Sequence, residues 1–186
     1  MIMIQNERDI RHELVVQACK QMMVAARTAP KGKGIDIVEM AVVTGDDDIS
    51  RMSEEMLKVA EEKGLKFFLR DADNIRQADA VMIIGTRQMS QGLNCAYCGF
   101  ATCDSKLKDI PCALNMMDLG IAIGSACATA SDLRVDTRVM FSAGFAAQRL
   151  KMLGDDCRHI LAIPVSVTSK NPFFDRIPKE QQPSDK

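Results

Sequence analysis

Apolar or small residues recur at Ile10, Leu14, Ala18, Met22 and Ala25/Ala26, the three-to-four spacing of one helix face, so a helix is predicted from Arg8 to about Ala29. Pro30, Gly32 and Gly34 end it. Ile35 to Val43 is rich in Ile and Val and reads as a strand. Gly45-Asp46-Asp47-Asp48 then caps a second helix with Ile49, Met52, Met56 and Val59 on one side, closed by Gly64. Two short apolar runs, Lys66 to Leu69 and Asp79 to Ile84, read as strands, the second with the unbroken hydrophobicity of a strand buried on both faces. Further helices are predicted over Ala113 to Asp132 and Thr137 to Leu153, followed by a strand from His159 to Val167. Helices and strands mixed around one sheet indicate an α/β or α+β domain.

Between the strand ending near Gly85 and the helix starting near Ala113 lie about 27 residues with little apolar periodicity, longer than compact domains usually tolerate without a reason. Four of the seven cysteines sit there, Cys95, Cys98, Cys103 and Cys112, spaced C-x2-C-x4-C-x8-C. The N-terminus reaches Gln5, Asn6 and Glu7 too early for a secretory signal, which places the chain in a reducing cytosol where these thiols would not persist as disulfides. Metal is the reason such thiols cluster, with iron-sulfur and zinc as candidates. Structural zinc takes two short chelating pairs. Here only Cys95 and Cys98 form one, and His12 and His159 are remote in sequence. Three close cysteines and a more distant fourth suit a larger polynuclear centre. Gly99 leaves room for backbone N–H groups to approach the sulfurs. Cys19, Cys127 and Cys157 read as small buried hydrophobes.

Composition narrows the function classes. A chain of 186 residues fits one domain that buries roughly 70% of its unfolded surface, here residues 1–176 with a cluster-binding insertion at 86–112 and a polar, flexible tail at 177–186. With 24 basic against 25 acidic residues there is no electrostatic footprint for nucleic acid or an anionic membrane, and the absence of Trp removes a stacking platform. No run of eighteen apolar residues occurs, so a cytoplasmic protein is expected. No Ser-His-Asp arrangement or carboxylate dyad suggests hydrolysis. Gly120, Gly124 and Ala128 form a small-residue stripe that admits close approach, either by a partner subunit or by an element of the same chain. Lys106, Lys108 and Arg87 could offset a cluster's negative charge or guide a donor protein.

The string Asn94-Cys95-Ala96-Tyr97-Cys98-Gly99-Phe100-Ala101-Thr102-Cys103 resembles the N-C-x-x-C-G-x-x-x-C core of ferredoxin-like modules that bind a 4Fe-4S cluster. Together with residues 26–34, Asp118 to Ser125 and the segment Lys170-Asn171-Pro172-Phe173-Phe174-Asp175-Arg176, it is similar to a family of bacterial and archaeal ferredoxin-domain proteins. Those modules usually place the fourth ligand farther downstream, so the resemblance implies Cys112 as the fourth ligand with Cys127 as the reserve. A looser resemblance links the order of elements to flavin-dependent nitroreductases, intertwined homodimers with FMN at the subunit interface. It implies an α+β fold with a nitroreductase-like central sheet flanked by helices and the cysteine loop inserted between a strand and a helix. That family's N-terminal Arg-Arg-Ser-x-Arg phosphate clamp is missing, with only Arg8 and Arg11 nearby. If FMN binds, the matching contacts are Arg27, Lys31, Lys33, Lys170 and Arg176. The leading expectation is an iron-sulfur electron-transfer protein with a redox partner protein. The alternatives are an FMN oxidoreductase using the cluster as relay and a non-enzymatic domain with a structural zinc site made of the four loop cysteines.

Overall fold

A computed structural model describes residues 4–174. Four strands, β1 (Val38–Val43), β2 (Ala80–Arg87), β3 (Asp136–Thr137) and β4 (Cys157–Ser166), form one sheet in the order β1-β2-β4-β3, and every pairing is antiparallel. Five helices cover it: α1 (Glu7–Thr28), α2 (Asp46–Lys63), α3 (Phe67–Ile75), α4 (Ala113–Asp132) and α5 (Phe141–Arg149). The α+β architecture read from the sequence is the one the chain adopts.

Strand alternation divides the core in two. Val81 and Ile83 of β2, with Ala162 of β4, face α2, α3 and α5, where Met52, Met56, Phe68 and Ala146 complete one layer. Ala80, Met82 and Ile84, with Ile163 and Val165, face α1 and α4, where Val15, Met22, Ala122 and Ala126 complete the other. The unbroken apolar run of β2 follows from this position, since each of its faces is covered and a fully buried aliphatic side chain contributes about 1.5–3 kcal/mol. α5 lies directly on β4: a methyl group added to Gly144 would collide with the backbone of Ile160 and Leu161. Gly64 ends α2 in the left-handed conformation, with φ 66°.

α4 is long and apolar enough to cross a bilayer by length and composition alone, yet it serves as a core helix, with Leu119, Ala122, Ile123, Ala126 and Ala130 buried. Its stripe of small residues faces outward, and nothing lies within 4 Å of a Cβ added at Gly120 or Gly124. No element among the described residues packs there.

Two expectations are corrected. Residues 66–69 are not a strand: Phe67 begins α3, whose buried residues Phe68, Asp71, Ala72 and Ile75 follow helical spacing. The helix expected over Thr137 to Leu153 is shorter, because Asp136 and Thr137 pair with β4 and Met140 bridges to Ala162 before α5 begins. The tail expected at 177–186 lies outside the described residues.

Candidate metal centre

β2 delivers the chain at Arg87 into the loop that carries the cysteines, and α4 receives it at Ala113. Cys112 is the N-cap of α4 and is 8% exposed. Burial acts to raise its thiol pKa, but the neighbouring backbone amides of Gln91, Asn115 and Leu114, and then the positive charge of Lys106, outweigh it, so the net shift is downward although the thiol makes no capping hydrogen bond to the helix. The amide groups left unpaired at a helix N-terminus favour an anion, here the thiolate itself.

Cys95, Cys98 and Cys103 are half-buried and held by turns. The Asn94 side chain accepts from the Cys103 N–H at 2.8 Å, and the Asn94 N–H lies 3.4 Å from the Cys103 sulfur. Because Cys95 follows Asn94 directly, this brace joins the two arms of the motif. Asn94 and Ala96 take positive φ of 47° and 60°, and Gly99 takes 87°. The Gly99 N–H donates to the Ala96 carbonyl at 2.9 Å, so it closes the Cys95–Cys98 turn instead of meeting a sulfur.

All seven cysteines are free thiols. Among the described residues no three Cys, His, Asp or Glu side chains converge in a metal-holding group. The donor set nevertheless fits an iron-sulfur centre in its chemistry: four thiolate-forming groups on one loop, one of them with its pKa lowered. A shared centre requires the loop to draw its three half-exposed thiols toward Cys112. Cys127 stands fifteen residues farther along α4, about 22 Å down the helix axis, and packs against the α1/α4 core. Burial raises its pKa, and it drives Cys19 up to about 12. Cys157 is raised to about 11, by burial first and then by Glu39 and Asp156.

The expected flavin contacts are otherwise engaged. Arg27 pairs with Asp36 at 2.5 Å and donates to the Val38 carbonyl at 2.8 Å. The Lys31 ammonium donates to the carbonyls of Ala26, Arg27 and Ala29 at the end of α1, the negative end of the helix dipole. Lys33 donates to the Gln91 carbonyl at 3.1 Å. As arranged, these three groups serve the chain itself and do not form a phosphate clamp. Lys170 is exposed, and Arg176 lies outside the described residues. Of the cations flanking the cysteines, Arg87 pairs with Glu39 and Lys106 donates to the Ile110 carbonyl at 2.6 Å; Lys108 is exposed.

Sequence reasoning missed two residues of this site, Gln91 and Asn115. Both are buried and hydrogen-bonded to each other at 3.0 Å. Asn115 did leave a signal, as an amide in the otherwise apolar first turn of a long helix.

A family profile described as "Uncharacterized protein containing a ferredoxin domain (DUF2148)" matches residues 108–176, a stretch that includes Cys112 and begins after the other three loop cysteines. An uncharacterized protein of Archaeoglobus fulgidus is 39% identical over 188 residues, covering 96% of this chain and 100% of the relative. Among solved structures, a BluB-like flavoprotein from Clostridium difficile superposes with a TM-score of 0.60 at 18% identity, covering 91% of this chain and 84% of the other. A nitroreductase with bound FMN from Desulfitobacterium hafniense gives 0.58 at 16% identity, covering 98% and 88%. At such identities these two establish a shared nitroreductase-like fold alone. The chain belongs to the family of proteins containing a ferredoxin domain, built on a nitroreductase-like scaffold.

Proposed function

We propose that this is a cytoplasmic electron-transfer protein that holds one 4Fe-4S cluster on Cys95, Cys98, Cys103 and Cys112. The observation that carries the reading is the run of four free cysteines on one loop that ends at Cys112, buried at the head of α4 with its thiol pKa lowered. A bound cluster would supply reversible storage of one electron at a time. The protein's part is to hold it. Cys112 is the fixed anchor, and the Asn94 brace keeps Cys95 and Cys103 together while the loop closes. Exchange is with a redox partner protein that meets the loop, where Leu93, Tyr97 and Leu107 are exposed. The outward stripe of α4, Gly120 and Gly124 flanked by exposed Met117 and Ile121, is the face across which two copies pair into a homodimer.

Anaerobic purification followed by iron, acid-labile sulfide and zinc analysis tests the reading. The expected result is a brown protein with about four iron and four sulfide per chain. Zinc without sulfide would replace it with a structural zinc site on the same four cysteines. A second reading, an FMN oxidoreductase that uses the cluster as relay, is favoured by the fold shared with an FMN-bound nitroreductase. Release of a yellow fluorescent cofactor on denaturation supports that reading, and its absence removes it.

A further inference from the structure

His159 is remote from the cysteine motif in sequence, yet β4 brings it there. One cavity between the exit of β2, the head of α4 and this part of β4 is lined by Cys112, Met89 and His159, with Thr86, Arg87 and Lys106 around them. Three segments thus bring a thiol, a thioether and an imidazole to one space. Cys112 is buried, His159 is half-buried and Met89 is 44% exposed, which leaves the cavity a route to solvent. Only two of these donors are Cys or His; the third is the methionine sulfur.

The placement of His159 is built into the sheet. Between the pairs Ile84↔Leu161 and Thr86↔Arg158 the register of β2 on β4 shifts, so β4 carries one residue more than β2 over this stretch. His159 lies within it and takes φ 53°, a conformation that costs stability in a residue with a Cβ. Bulges of this kind re-aim a side chain. Gly85 makes room for it, since a Cβ there would come within 2.8 Å of Cys157 Sγ and Ile160 Cγ1. Cys157 and Ile160 consequently face the same core layer although they are three residues apart, and His159, between them, lines the cavity instead.

Charge and softness decide which ion suits these donors. No Asp or Glu among the described residues lines the cavity, so a divalent ion balanced by one thiolate would leave net positive charge beside Lys106. A monovalent ion is neutralised by that thiolate. The thioether further selects a soft ion over a hard one. We infer that Cys112, His159 and Met89 form a three-donor site for a soft monovalent metal ion of the class of Cu(I). On binding, the Cys112 thiol gives its proton to solvent as the sulfur–copper bond forms; the metal stays Cu(I) and no electron is exchanged. The inference stands apart from the iron-sulfur reading, because it uses only Cys112 of the loop thiols. The two occupants exclude each other, since both need that sulfur.

The test uses the full chain, metal-free and reduced, carrying Cys95→Ser, Cys98→Ser and Cys103→Ser so that Cys112 is the one thiol left on the loop. Cu(I) is supplied without oxygen in competition with the chromophoric chelator bathocuproine disulfonate. His159→Asn, Met89→Leu and His12→Asn are compared in this background; asparagine tolerates the positive φ at 159, and leucine keeps the volume at 89. The expected result is a single Cu(I) per chain, held at least about tenfold more weakly after His159→Asn and after Met89→Leu. His12→Asn, which removes an exposed histidine of α1, should leave the affinity unchanged. Should the serine background fail to fold, Ag(I), a redox-inert substitute for Cu(I), is titrated to saturation into the metal-free parent, where the His159 ring and Met89 methyl NMR signals are expected to shift together. Parental affinity in either His159→Asn or Met89→Leu, no copper in the serine background, or unmoved His159 and Met89 signals with Ag(I) overturns the inference. Iron and sulfide in the parent test the cluster reading separately.

Discussion

One side chain, the cysteine thiol, meets opposite fates in two regions of this molecule. In the core, Cys19 sits inside the α1/α4 layer with no charge to favour its thiolate, and burial pushes its pKa up to about 12. At the end of the cysteine loop Cys112 is also buried, yet its pKa is lowered, because the head of α4 and the Gln91 amide supply N–H groups where the core supplies hydrocarbon. Burial alone therefore does not decide what a thiol can do. Orientation of the surrounding backbone does, and it separates a packing cysteine from a candidate ligand.

The two regions should also fail differently. Gly144→Ala forces α5 off β4, a backbone collision that no side-chain rotation relieves, and is expected to cost about 3 kcal/mol, about 6–12 °C in Tm. Gly99→Ala in the loop, where φ is 87° and nothing crowds the added methyl, should cost only about 1–2 kcal/mol by calorimetry. A loop substitution as damaging as the core one would break the comparison.

Metal removal sharpens it further. Chelation of loaded protein should raise amide hydrogen exchange over residues 86–112 while β2 and β4 keep their protection, since the core clusters that bury those strands include no residue from 88–111. Uniform loss of protection would mean that the loop is integral to the core.

The smallest effect is alkaline. Because the folded pKa of Cys19 lies above its ordinary 9.0, its contribution to stability is intact below pH 9 and is lost as the pH rises toward about 12. Cys19 alone should lower the unfolding free energy of metal-free protein by about 1 kcal/mol between pH 9 and 10, and Cys19→Ala should reduce the measured fall by that amount. Cys112 has the opposite sign: its folded pKa lies below 9.0, so its contribution is present above pH 9 and is lost as the pH falls through the folded value. An unchanged slope in Cys19→Ala would remove the contrast between the two thiols.

The parts of the fold legible in the sequence are those where one periodicity dominates. α1, α2 and α4 carry long helical patterns or clear caps, and β2 carries the run that only a doubly covered strand needs. Phe67-Phe68-Leu69 misled because three apolar residues in a row fit a short strand as well as the start of a helix. The deciding contact, Asp71 accepting from Ser142 at 2.6 Å, is seventy-one residues away in sequence. β3 is two residues long and exists only through its pairing with β4. At the candidate site the cysteines were legible as chemistry, but the Gln91–Asn115 pair was not, since its meaning depends on two segments meeting in space.

The central claim, that the loop thiols including Cys112 hold iron and the core thiols do not, is tested most directly by iron and acid-labile sulfide content in three anaerobically purified single variants. Cys112→Ser and Cys98→Ser should lose most of their iron and sulfide, and Cys157→Ser should match the parent. Equal iron in all three would contradict the account.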